Sequence, residues 1–97
     1  MASRRQRTVR YGIVGTGMIA RVHAQAIRAA QGAELVVVHD AVPERAAAFA
    51  REYGVECEGD LAAFLARKDV DAVTVATPSG ARADVAVPAA LAGKHLL

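Results

Sequence analysis

Gly15-Thr16-Gly17 constrains what this chain can fold into more than any other stretch. Ahead of it runs a short β-type segment, Val9 to Val14. A helical pattern starts at once behind it, from Met18. Gly15, Gly17 and Ala20 satisfy the G-x-G-x-x-G/A spacing of a strand–turn–helix unit that cradles a pyrophosphate. Gly15 permits the tight turn out of the strand. Gly17 carries no side chain, so a ligand can approach the backbone, and Ala20 lets the helix lie close to the strand. Thr16, Met18 and Ile19 fill the turn and the first helical positions, where free N–H groups and the positive end of the helix dipole suit an anion. The letters alone are weak in a chain rich in glycine and alanine; their context is what strengthens them. A second apolar strand, Leu35 to His39, ends at Asp40, which lies 23 residues after Gly17. A carboxylate about 20 residues beyond the glycines is the usual partner of an adenosine ribose 2′-hydroxyl. The expected ligand is a dinucleotide. The plainer alternative is an ordinary α/β turn built from glycines.

Asp40 favours NAD, because a carboxylate there repels the 2′-phosphate of NADP. Ala41 and Val42 offer no neighbouring cation. Arg45 could swing toward such a phosphate, so NADP is the less favoured cofactor rather than an excluded one.

Size and charge narrow the remaining choices. The 97 residues make one domain at most. The formal net charge of +2 misleads as a single number, because Arg4, Arg5, Arg7 and Arg10 hold four of the twelve basic residues. The rest of the chain carries eight basic against ten acidic residues and is mildly acidic. Residues 1–8 are expected to be a disordered, solvated basic arm, with the domain at 9–97. No basic face or nucleic-acid module is recognisable. Ser3-Arg4-Arg5-Gln6 is like the start of a twin-arginine signal, but no apolar stretch follows it. No apolar run approaches the ~18 residues of a membrane-spanning helix. Cys57 is the one cysteine, so no internal disulfide can form and a cytoplasmic location is the default expectation. Cys57 itself is expected to be a small, partly buried apolar residue. His23, His39 and His95 show no metal-ligand spacing.

Strand and helix patterns alternate throughout, which predicts a parallel sheet covered by helices. The first helix is expected over Met18 to Ala30, with Ile19, Val22, His23, Ala26, Ile27 and Ala30 as its buried stripe. A second strand covers Glu34 to His39. Pro43 opens a second helix that buries Ala46, Phe49, Ala50 and Tyr53 and stops at Gly54. Val55 to Glu58 is a short third strand. Asp60 caps a third helix burying Leu61, Phe64 and Leu65. A fourth strand, Asp71 to Ala76, leads into the loop Thr77-Pro78-Ser79-Gly80. The fourth helix, Ala83 to Ala92, contains Pro88, which should bend or restart it. Lys94 to Leu97 begins a fifth strand. The whole predicts a Rossmann-type, doubly wound α/β fold of strand order 3-2-1-4-5, incomplete at its C-terminus. The glycine turn, Asp40 and the Thr77-Pro78 loop should converge at the carboxyl ends of strands one and four.

The stretch Tyr11 to Ala20 followed by His23 resembles the nucleotide-binding half of the Gfo/Idh/MocA oxidoreductases. Pro43-Glu44-Arg45-Ala46 is similar to that family's second strand-to-helix turn. Ala76 to Asp84 resembles its loop beside the nicotinamide, and Ala92 to Leu97 the lead-in to its catalytic motif. The resemblance spans roughly residues 8–97. It implies that Thr77 and Pro78 line the cofactor crevice. It also implies hydride transfer between nicotinamide and a sugar or polyol, with a Glu-Lys-Pro lysine as acid/base and a second domain holding the substrate. Neither is found in this sequence, so no catalytic residue is assigned, and Lys94 lies ahead of the position of that lysine. Arg82 stands where the family often has histidine, which puts substrate contact by this loop in doubt. Small-molecule substrate is expected only through the missing domain, and oligomeric state is not legible. Two other readings stay open: a stand-alone dinucleotide-binding or redox-sensing module, and an unstable truncation product.

Overall fold

The computed structural model describes residues 8–77 and 82–96. Most of the expected basic arm, together with Pro78 and the Ser79-Gly80 turn, lies outside the described residues. The elements are β1 (Val9–Val14), α1 (Met18–Ala29), β2 (Ala33–His39), α2 (Pro43–Tyr53), β3 (Glu56–Cys57), α3 (Leu61–Leu65), β4 (Ala72–Val75), α4 (Arg82–Leu91) and β5 (His95–Leu96). The strands form one parallel sheet of order β3-β2-β1-β4-β5, the order the alternating pattern predicts.

Side-chain alternation along β1 divides the core in two. Ile13 faces a cluster with Ala20, Ala24 and Ile27 of α1 and Phe49, Ala50 and Tyr53 of α2. Val14 faces the opposite cluster, with Phe64 and Leu65 of α3 and Val85 and Ala89 of α4. Strand β2 would break this alternation, since Leu35 joins the first cluster and Val37 the second. A register shift resolves it: Leu35 pairs with Tyr11, but Val37 pairs with the next residue, Gly12. One extra residue in β2 flips every later side chain to the other face.

The structure rotates the expected stripe of α1. Its buried residues are Ala20, Ala24 and Ile27, whereas Ile19 and Val22 are more than half exposed. Methyl-sized side chains let the helix axis approach the sheet, and the larger branched residues are displaced to its flank. Ala30 and Ala26 are likewise exposed, and His23 is half-buried. Helix α2 buries the four residues expected of it, and Gly54 closes it in the left-handed region at φ 67°. Asp60 caps α3, accepting from the Ala63 N–H at 3.2 Å. Helix α4 runs through Pro88 as one assigned helix rather than restarting. One further expectation is corrected. Cys57 is exposed, because β3 is a two-residue edge strand with both residues facing solvent. Arg10 lies in β1, within the strand expected at Val9 to Val14, and its guanidinium forks onto Asp71, with Nε 3.2 Å from Oδ2 and Nη2 3.2 Å from Oδ1.

Candidate functional site

Strand β1 ends at Val14, and the chain must leave the sheet within three residues to start α1. Gly15 makes that exit at φ 99°, a region side chains avoid. A Cβ on Gly15 would lie 2.9 Å from the carbonyl carbon and oxygen of Ala76 and 3.0 Å from the Thr77 nitrogen. The turn is therefore pressed against the exit of β4. On its other side, the Gly15 N–H donates to the His39 carbonyl at 2.7 Å. The ends of β1, β2 and β4 thus meet at one glycine.

Thr16 and Asp40 join next. The Asp40 Oδ2 accepts from the Thr16 N–H at 3.0 Å and from its hydroxyl at 2.7 Å. Its Oδ1 accepts from the Val42 N–H at 2.8 Å. Both residues are only 9% exposed. An ionised carboxylate offers about four lone-pair positions, so three protein donors leave one on Oδ1. Burial pushes the Asp40 carboxyl up. The bonds from Val42 and Thr16 and the charge of Arg45 outweigh it, and the group ends below the ordinary aspartate range. Stability from this arrangement is complete above the unfolded pKa of about 3.9 and is lost as pH falls through the depressed folded value. Asp40→Asn should therefore flatten the pH dependence of the urea midpoint below about pH 4 relative to the parent chain.

Gly17 is the N-cap of α1, in extended conformation with no side-chain cap bond, and no acidic residue stands in the first turn. The first N–H groups of α1 thus have no side-chain acceptor from the cap. Among the described residues, the one atom within 4 Å of where a Gly17 Cβ would sit is Nη2 of Arg45, at 3.9 Å. The space over Gly17 is open and flanked by a cation. Met18 and Ile19, in the first turn, are 80% and 58% exposed.

The sequence-predicted residues Gly15, Thr16, Gly17, Met18, Ile19, Asp40, Arg45 and Thr77 therefore gather around one turn. Pro78 lies outside the described residues. Thr77 carries a further signal: its Oγ1 is buried and has no hydrogen-bond partner among the described residues. Sequence reasoning missed that the Thr16 side chain is engaged by Asp40. A hydroxyl residue between two glycines, with an acid at the next strand end, was the available sign. His39 turns its ring away from the site, with Nδ1 2.8 Å from the Glu58 carbonyl. His23 pairs with buried Thr74 at 2.5 Å and lines an apolar groove of about 430 Å³ between α1, Tyr11 and Ala33. That groove includes none of the glycine-turn residues. Lys94 donates to the carbonyls of Arg67 and Val70, the latter at 2.6 Å, and so ties the chain before β5 to the loop before β4. No group of three potential metal ligands stands together among the described residues. No helix there is long and apolar enough to cross a membrane.

This arrangement has its counterpart in known sequences. Residues 9–97 match the model of the Gfo/Idh/MocA oxidoreductases, described as an oxidoreductase family with an NAD-binding Rossmann fold. The chain belongs to this family. It is 44% identical over 89 residues to inositol 2-dehydrogenase of Rhizobium meliloti, a match covering 92% of this chain and 27% of that protein. Scyllo-inositol dehydrogenase from Lactobacillus casei, solved with bound NAD(H) and scyllo-inositol, superposes with a TM-score of 0.82 at 34% identity. That match covers 93% of this chain and 27% of the other. A 3-ketoreductase from Actinomadura kijaniata, solved with NADP, gives 0.86 at 33% identity, covering 93% and 28%. The chain thus spans about a quarter of the length of the relatives it matches. The glycine turn and its surroundings belong to the NAD(P)-binding Rossmann domain of an oxidoreductase family.

Proposed function

We propose that this chain holds NAD for an oxidoreductase acting on a CH–OH group of a sugar, polyol or related compound. The observation that carries the reading is the bonded pair Thr16–Asp40 beside the uncapped first turn of α1. The residues fit the cofactor. The open space at Gly17 admits a pyrophosphate, and the N–H groups of Met18 and Ile19 at the start of α1 can meet its oxygens. Asp40 keeps one acceptor position for a ribose hydroxyl. Thr77, whose hydroxyl has no hydrogen-bond partner among the described residues, stands at the β4 side of the same turn. Bound nicotinamide supplies the hydride acceptor, and the residues of this chain bind and orient it.

The substrate class is suggested by the inositol dehydrogenases among the relatives. The acid/base group is not assigned to Lys94, whose ammonium is engaged by two backbone carbonyls. On this reading the 97-residue chain binds dinucleotide without turning over substrate, which it would meet through the portion of the relatives that lies beyond the match. Titration calorimetry tests the binding. The parent chain is expected to bind NAD. Asp40→Ala should weaken NAD by about 10- to 100-fold, the equivalent of losing a hydrogen bond to a charged group. A folded chain that binds neither NAD nor NADP at millimolar concentration would overturn the proposal.

A further inference from the structure

Helix α1 has two apolar faces, and the fold described above uses one. Ala20, Ala24 and Ile27 meet the sheet. The flank turned away from α2 carries Ile19, Val22, Ala26 and Ala30, which are spaced as a buried stripe and are all exposed. Between this flank and the sheet runs the groove of about 430 Å³. Val22, Ala26 and Ala30 form one wall, and Tyr11, Ala33 and Thr74 the other.

The chemistry of this flank suits a second copy of the same chain. The cations of α1 lean the other way. Arg21 bonds Glu52 of α2 and sits over the Phe49 ring at 5.9 Å, and Arg28 donates to the Tyr53 carbonyl at 2.7 Å. Two copies can therefore bring these flanks together without opposing their arginines. The polar pair in the groove satisfies itself: the Thr74 hydroxyl and His23 Nδ1 lie 2.5 Å apart, so an apolar side chain can cover that bond without breaking it. The pattern of sizes also fits itself, which is the requirement of a two-fold contact. Val22 stands four residues before Ala26, and Ala30 four residues after it. With two α1 helices antiparallel and Ala26 on the axis, the larger Val22 of each copy falls opposite the smaller Ala30 of the other.

We propose that this flank of α1 is an interface between two copies of the chain, with Ala26 at the two-fold axis and Val22 of each copy seated in the groove beside Ala30 of its mate. The stretch from Val22 to Ala30 is only about 12 Å long. The contact is therefore at the small end of specific interfaces, and the dimer is reversible. It forms without cofactor and does not rest on the dinucleotide reading.

The test is analytical ultracentrifugation of the parent chain from micromolar to submillimolar concentration. The weight-average mass is expected to rise toward twice that of the monomer. Ala26→Lys sets two ammonium groups face to face on the axis and should weaken association by about 10-fold or more. Position 26 is exposed and lysine is a good helix former, so circular dichroism should show a parental fold. Ala48→Lys, on the exposed side of α2, should leave association unchanged. So should Leu91→Lys, which probes the other exposed apolar pair, Val87 and Leu91 of α4. Crosslinking reads the geometry directly. With the exposed Cys57 changed by Cys57→Ser, Ala26→Cys should form a disulfide-linked dimer on mild oxidation and Ala48→Cys should not, because a disulfide needs Cα atoms within about 7 Å. A folded parent chain that stays monomeric throughout would overturn the proposal. Association that survives Ala26→Lys, or that Leu91→Lys abolishes, would overturn it by placing the contact elsewhere, as would equal crosslinking at positions 26 and 48. None of these outcomes bears on dinucleotide binding, which is read by the separate titration.

Discussion

Gly15→Ala is expected to cost the chain about 3 kcal/mol or more of stability and all measurable dinucleotide binding. Two costs combine. A side chain at φ 99° carries backbone strain of about 1–3 kcal/mol. The added methyl also meets main-chain atoms rather than a flexible side chain: Ala76 at 2.9 Å and Thr77 at 3.0 Å. Relief would need the exits of β1 and β4 to part, which breaks packing worth a further ~1–3 kcal/mol. A domain of this size has about 5–15 kcal/mol in total, so the urea midpoint should drop by a large fraction. Gly17→Ala is the informative companion. Gly17 has φ −86°, and among the described residues beyond its chain neighbours a Cβ there would meet Arg45, at 3.9 Å, and nothing nearer. That variant should keep a midpoint within about 1 kcal/mol of the parent, the scale of an N-cap change. It should nevertheless lose dinucleotide affinity, because the methyl fills the space the pyrophosphate needs. The neighbouring glycines thus separate folding from binding. A Gly15→Ala chain of parental stability, or a Gly17→Ala chain that binds NAD normally, would contradict this account of the turn.

The outline of the fold was legible because it depends on periodicity and punctuation. The four consecutive apolar residues Leu35 to Val38 are typical of a strand buried on both faces, and Gly54 and Asp60 mark helix ends by chemistry that is local. The convergence of Gly15, Asp40 and Thr77 was legible for the same reason, since strand order places strand ends together. What the sequence did not disclose depends on distance across the fold. The face that α1 buries was misread because alanines and branched residues share an apolar pattern, and only the closeness of the sheet selects Ala20 and Ala24 over Ile19 and Val22. The exposure of Cys57 follows from β3 being only two residues long at the sheet edge. The engagement of the Thr16 hydroxyl by Asp40 is a pairing across 24 residues. Residue type suggested that these groups matter but not what each one touches.

Gly12 shows how a side chain far along the chain can determine a small residue in a strand. In β1 it interrupts a run that would otherwise favour branched residues, and nothing local calls for glycine there. The reason is Phe64 of α3, which is fully buried and lies over it: a Cβ on Gly12 would approach the ring Cζ to 2.6 Å. Phe64→Ala is expected to destabilise by about 3–5 kcal/mol, since it empties the centre of the cluster formed with Val14, Val37 and Val73. Gly12→Ala in the parent chain should cost about 1–3 kcal/mol, because the buried ring must shift to admit the methyl. The two changes should not add. With the ring gone, the methyl at position 12 enters vacant space and restricts the unfolded chain, so Gly12→Ala should become neutral or stabilising by ~0.4–1 kcal/mol in the Phe64→Ala background. Urea titrations of the parent, both single variants and the double variant would measure the coupling directly. Simple additivity would mean that Gly12 is kept for its backbone alone. The predicted sign reversal would mean that α3 is seated on the sheet by a ring that only glycine can accommodate.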